Sequence, residues 1–152
     1  MALFAFMAVA HSRGFEVAWR WAETGTIPPC RDDEAYAVAI PELKWLHHIP
    51  NGGGRGDSAK SAMIRGGQLK AEGVKAGVAD LFLPVRRGQW PGLYIEMKKP
   101  AVKAKKEGIL GGVSDEQKQF GDFVMAQGYG WMVCYSWREA AQAIEQYLNC
   151  GQ

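Results

Sequence analysis

Seven consecutive residues, Leu93-Tyr94-Ile95-Glu96-Met97-Lys98-Lys99, constrain the fold of this chain more than any other stretch. In a β-strand successive side chains point to opposite faces. Leu93, Ile95 and Met97 therefore share one face, apolar and suited to a core, while Tyr94, Glu96 and Lys98 share the other. Such a strand needs neighbours. Asp80–Val85 (DLFLPV) reads as a second strand, joined to the first by a hairpin-like connection at 86–92 that carries Gly88 and Pro91-Gly92. Lys44–Ile49 (KWLHHI) reads as a strand, and Trp131–Tyr135 (WMVCY) as a buried one.

Helical stretches separate these strands. Met1–Ala10 is apolar and is expected to begin a packed helix. Phe15–Glu23 is helical and ends at Thr24-Gly25; Asp33–Ile40 forms a second short helix stopped at Pro41. Asp57–Glu72 looks helical, interrupted at Gly66-Gly67 and closed by Gly73. Ser114 with Gln117, and Ser136 with Glu139, are capping boxes that open helices running to about Gly128 and Leu148. This alternation predicts a mixed α/β domain, and 152 residues suit a single one spanning 1–152.

No apolar run approaches the roughly 20 residues that span a bilayer, so no membrane is expected. The three cysteines, Cys30, Cys134 and Cys150, are widely spaced and form no Cys-x-x-Cys pair, which points to a reducing, cytoplasmic setting. The net charge of +2 conceals an asymmetry. Between Arg55 and Lys106 twelve Lys and Arg stand against four acids, a net +8, and the remainder carries −6. A basic middle between acidic flanks suits a polyanionic partner.

Within the basic zone Glu96 and Lys98 stand two residues apart on one strand face, and Asp80 opens the adjoining strand. Adjacent carboxylates repel unless a cation neutralises them, and hard oxygen ligands favour Mg²⁺ or Mn²⁺. Such an ion polarises a phosphoryl oxygen, and Lys98 is placed to orient water or to stabilise charge developing on the phosphate. The same spacing suits equally well a cross-strand salt bridge. The Asn51–Arg55 turn, with Gly53 at its centre, is either a tight reversal or a phosphate contact through backbone amides and Arg55; Lys70 and Lys75 are further candidate phosphate contacts. Of the six tryptophans, Trp90 in the hairpin loop is the candidate for a base or sugar contact, and of His47 and His48 one is expected to face inward and one outward. Gly54–Ser61 imitates a phosphate-binding P-loop but has Ala59 where the second glycine is required.

Asn51-Gly52-Gly53-Gly54-Arg55, the run from Leu69 through Asp80 to Leu81, Tyr94-Ile95-Glu96-Met97-Lys98 and Ser114-Asp115-Glu116-Gln117 resemble, in order and spacing, the virus-type replication-repair nuclease (VRR-NUC) domain, a branch of the PD-(D/E)XK nuclease superfamily. The resemblance runs from about Pro41 to Leu148 and is closest to the stand-alone form of phages and prophages. It implies a PD-(D/E)XK core with a mixed central sheet flanked by helices. It further implies that Asp80 and Glu96 are metal ligands, that Lys98 is the lysine of the Glu-x-Lys motif, and that Gln117 lies close to the active site. A glutamate from the first helix is also implied, Glu16 ahead of Glu23 and Glu34. Ala79 stands where the family usually has proline. By this resemblance the chain is expected to be a Mg²⁺- or Mn²⁺-dependent DNA endonuclease, a homodimer acting on branched DNA such as a four-way junction in the cytoplasm of a bacterial host. A catalytically silent DNA-binding module and a structural or adaptor protein of a phage particle are the alternatives.

Overall fold

In the computed structural model, residues 2–27, 39–50, 59–99 and 112–150 are described. The apolar start of the chain forms helix α1, Leu3–Thr24. Its buried residues Leu3, Phe6, Met7 and Ala10 recur at the spacing that makes one apolar stripe. Gly14 kinks the helix at φ 79° and ψ 166°, and the stripe resumes with Phe15 and Ala18. The helix expected over Phe15–Glu23 is thus the second half of a longer element.

A 3₁₀ turn follows at Pro41–Trp45, where proline starts the turn with its φ already set. It takes up the first two residues of the segment expected as a strand, and strand β1 is His47–His48 only. Helix α2 covers Ala59–Ala71 and runs straight through Gly66-Gly67. Each glycine costs a helix about 1 kcal/mol relative to alanine, but neither adopts a positive φ, so the expected interruption does not occur. Gly73, at φ 89°, ends the helix: its N–H bonds to the Lys70 carbonyl and that of Val74 to Leu69, the paired bonds of a Schellman motif. Most of the helix expected over Asp33–Ile40 lies outside the described residues.

The remaining elements are β2 (Leu81–Leu83), β3 (Leu93–Met97), α3 (Asp115–Ala126), β4 (Gly130–Cys134) and α4 (Trp137–Asn149). The sheet order is β1-β2-β3-β4. The first three strands are antiparallel, and β3 pairs with β4 in parallel through the α3 crossover.

Alternation along the strands sorts the molecule into layers. Leu81, Leu83, Leu93 and Ile95 bury one sheet face against Ala140, Ile144 and Leu148 of α4 and Phe6 of α1. The Trp19 indole N–H donates to Glu145 at 2.7 Å and pins α1 to α4. On the opposite face Phe82 stacks on Tyr94 at 4.2 Å, and Phe120 of α3 meets Tyr94 edge-on. Gly121 lets α3 lie directly on the Trp131 ring, where a Cβ would come within 2.7 Å. β4 is an edge strand with Met132 exposed, not the buried strand expected. The Ser136 hydroxyl caps α4, but Glu139 turns to the Tyr135 N–H, so only half of that capping box forms. Trp90 packs against the core rather than standing free, and its carbonyl accepts from the Tyr147 hydroxyl. His47 and His48 are both exposed, because β1 lies at the other sheet edge.

Candidate active site

The pairing of Leu81 with Ile95 places Asp80, one residue before β2, opposite Glu96 and on the same sheet face. Asp80 is held there by its own side chain, whose Oδ2 accepts the Met97 N–H at 2.8 Å. The carboxylate of β2 therefore grips the backbone of β3 beside Glu96.

Glu96 is 2 % exposed, and it alone among the described polar and charged residues is buried to this degree. The Lys98 ammonium lies 2.9 Å from its Oε1. The Gln117 side-chain N–H donates to the same oxygen, and Lys98 donates to Gln117 Oε1 at 2.7 Å. Gln117 Oε1 also accepts the Ser114 N–H at 2.9 Å, and Ser114 Oγ accepts the Gln117 N–H at 3.3 Å. The expected capping box of α3 is thus formed, and its glutamine reaches the candidate site with the same side chain.

The electrostatics call for another positive charge. Burial raises the Glu96 carboxyl above its ordinary pKa, the Lys98 hydrogen bond opposes this, and the neighbouring Asp80 charge pushes it up further. Glu96 Oε2 is buried without a hydrogen-bond partner. An unsatisfied buried acceptor costs on the order of 1–3 kcal/mol, more when charged. Lys98 is the ammonium that the Glu96 carboxylate pairs with, and Asp80 sets a second carboxyl beside it. A hard divalent cation fits these donors, since Mg²⁺ commonly uses one or two carboxylates and fills its shell with water and substrate phosphate. No cluster of three or more His, Cys, Asp or Glu is found among the described residues; Asp80 and Glu96 are a pair.

Gly77 sets the spacing of the two halves. At φ 85° in the turn before Asp80, it lies against the first turn of α3, where a Cβ would come within 2.6 Å of the Glu116 backbone. Its role was not read from the sequence; the glycine three residues before Asp80 was the available signal. The structure thus brings together Asp80, Glu96, Lys98 and Gln117. It does not bring in Glu16, whose side chain is 87 % exposed and paired with Arg20 at 3.2 Å. α1 packs with α4 in the layer under the opposite sheet face from Glu96. Glu23 is exposed near the end of α1. Lys70 and Lys75 are exposed, Lys70 near the end of α2 and Lys75 after it, where Lys75 lines a cleft with Ile49, Pro50 and Val78. Asn51, Gly53, Arg55 and Glu34 lie outside the described residues.

The chain is similar to the VRR-NUC domain, whose family model matches residues 44–137. That stretch encloses all four clustered residues and leaves out α1. A solved structure described as a VRR_NUC domain protein shares 20 % identity with a TM-score of 0.56, over 100 % of this chain and 92 % of its own. The likeness bears on the fold, a four-stranded mixed sheet flanked by helices, consistent with a PD-(D/E)XK-like core. No curated protein matches the chain.

Proposed function

The chain belongs to the VRR-NUC family, a nuclease-type domain, and from that premise we propose that it is a Mg²⁺- or Mn²⁺-dependent DNA endonuclease. The observation that carries the proposal is the convergence of Asp80, Glu96, Lys98 and Gln117 around a buried carboxylate oxygen with no partner. Asp80 and Glu96 would hold the ion. When bound, a divalent ion polarises a phosphoryl oxygen and makes water acidic enough to attack.

The chain's own residues supply the rest. Lys98, anchored on Glu96 and Gln117, presents an ammonium to the charge that grows on the phosphate in the transition state. Gln117 keeps Glu96 Oε1 occupied, which leaves Oε2 as the oxygen free to serve as ligand. Lys70, Lys75 and the residues 51–55, including Asn51, Gly53 and Arg55, are assigned to the DNA backbone, where they contribute salt-sensitive affinity rather than sequence preference. Selectivity for branched DNA such as a four-way junction, a homodimeric assembly, and a phage or prophage origin in a bacterial cytoplasm complete the proposal. These rest on the family resemblance. Among the described residues no helix is long and apolar enough to cross a membrane.

The test is a cleavage panel of single-stranded, duplex, flapped and four-way DNA with Mg²⁺, Mn²⁺ or chelator. Lys98→Ala is expected to lower kcat by roughly 10²–10³-fold, and Glu96→Ala to abolish metal-dependent cutting, with DNA retention kept in both. Undiminished cleavage by either variant refutes the assignment. The 2.9 Å Glu96–Lys98 pair also suits a silent DNA-binding module, and retention without cleavage under every ion would favour that reading.

A further inference from the structure

The chain has six tryptophans. Five are drawn into packing, and Trp45 alone is exposed, at 61 %. It stands at the end of the 3₁₀ turn that leads into β1, next to the basic Lys44 of the turn's last residues. The Lys44 ammonium lies over one face of its ring, 5.6 Å from the centroid. The His47 Nδ1–H donates to the Trp45 carbonyl at 2.9 Å, which ties the next exposed ring to the same stretch of backbone.

The strand that follows Trp45 leads to the carboxylates. His47 pairs with Phe82 across β1 and β2, and its ring meets Phe82 edge-on at 5.7 Å. Phe82 is two residues from Asp80 on the same sheet face, and the Ile49 N–H bonds to the Asp80 carbonyl at 2.8 Å. Strand spacing and rise put His47 about 8 Å from Asp80, and Trp45, two residues earlier, is within about 15 Å, roughly four stacked nucleotides.

We propose that Trp45, with Lys44 and His47, is a stacking platform for an unpaired base of the DNA strand whose phosphate lies at Asp80 and Glu96. An exposed indole offers a flat surface that any base can cover, and a flanking ammonium serves the adjoining phosphate. A paired base in a duplex already has both faces covered by its neighbours, so the platform selects DNA with unpaired nucleotides near the cut. This deepens the nuclease reading of the site and rests on it.

The test substitutes 2-aminopurine, one position at a time, for the nucleotides within four of the flap junction in flapped DNA and at the matching positions of a blunt duplex. Binding is followed by fluorescence with the Lys98→Ala protein, which keeps Trp45. Quenching at one unpaired position, lost on adding Trp45→Ala and kept with Trp45→Phe, is the expected result. In kinetics Trp45→Ala is expected to raise KM for flapped DNA about tenfold more than for blunt duplex, with the loss falling on KM rather than kcat, and Trp45→Phe is expected to restore most of it. Equal changes on both substrates, or quenching that ignores Trp45, overturns the platform. So does a change in sedimentation of Trp45→Ala, which would assign the ring to a protein contact. Failure of the nuclease reading looks different: no cleavage by the unaltered protein, while the fluorescence measurement, which needs none, still decides whether a base stacks on Trp45.

Discussion

Replacing Gly77 with alanine tests how the site is assembled, because two separate penalties meet at that position and a second glycine carries only one of them. Gly77 has φ 85°, and an alanine there enters the left-handed region at a cost of roughly 1–2 kcal/mol. Its Cβ would also lie 2.6 Å from the carbonyl carbon and oxygen of Glu116 and 2.8 Å from the Glu116 Cβ. The two nearest are backbone atoms of the first turn of α3, so relief requires the helix to move. Overpacking of this kind costs about 1–3 kcal/mol, which makes roughly 2–5 kcal/mol in all. Gly73 has φ 89°, but a Cβ there meets nothing within 4 Å, so Gly73→Ala should show the conformational penalty alone, about 1–2 kcal/mol. For a chain of this length 1 kcal/mol shifts Tm by about 2–4 °C. Urea and thermal unfolding of the two variants should therefore differ by about 1–3 kcal/mol. Gly77→Ala should also weaken cleavage, because the helix it displaces carries Gln117. Equal destabilisation by the two variants, or a Gly77→Ala protein with full activity, would show that the Gly77–α3 approach does not position the site.

Three further outcomes follow from the same contacts. Mg²⁺ or Mn²⁺ at about a hundred times its Kd should stabilise the folded protein by roughly 2.7 kcal/mol, a rise in Tm that Asp80→Ala and Glu96→Ala should each abolish; persistence of the shift in both would place the ion elsewhere. Gln117→Glu keeps an acceptor for the Ser114 N–H but sets a third carboxylate against Glu96, so α3 should stay folded by circular dichroism while the Glu96 carboxyl titrates still higher in the metal-free protein. Glu42 has its pKa lowered from 4.5, first by its hydrogen bond to Arg87 at 2.8 Å. The stability it contributes is full above about pH 4.5 and is lost as pH falls through the lowered native value; because its side chain is 40 % exposed, Glu42→Gln should flatten the acid limb of the stability profile by no more than about 1 kcal/mol.

Much of this was legible in local pattern. The alternation along Leu93–Met97 predicts its two faces, and the core and site faces follow it. The Ser-x-x-Gln box predicts where α3 begins. What pattern could not reveal was relative placement. Glu16 has the residue type expected of a site glutamate, yet the layer it occupies is decided by Phe6, Phe15 and Ala18 packing with α4, far along the chain. Trp90 and Trp45 both sit in short connecting segments. Only the folded chain shows that the Tyr147 hydroxyl takes the Trp90 carbonyl into the interior while Trp45 is left in water. The strand expected over Lys44–Ile49 starts only at His47 for a local reason, the proline-started turn, which takes Lys44 and Trp45 despite the β-propensity of tryptophan.

Gln117 shows why capping and function need not compete as explanations. A glutamine at the third position of a helix ordinarily reaches back to the N-cap and leaves its amide N–H₂ to solvent. Here Oε1 accepts from both Ser114 and Lys98, and the amide nitrogen faces Glu96. The reverse orientation would set the amide N–H₂ against the ammonium of Lys98 and oxygen against the carboxylate of Glu96, so the three neighbours together permit only one. The cap, worth about 1 kcal/mol to the helix, thereby also fixes the rotamer that supports Lys98 and occupies Glu96 Oε1. Capping therefore does not exclude Gln117 from the proposed site: the helix terminus is the part of the scaffold that orients the side chains gathered at Glu96, and Gly77 lies in close approach to that terminus, three residues before Asp80.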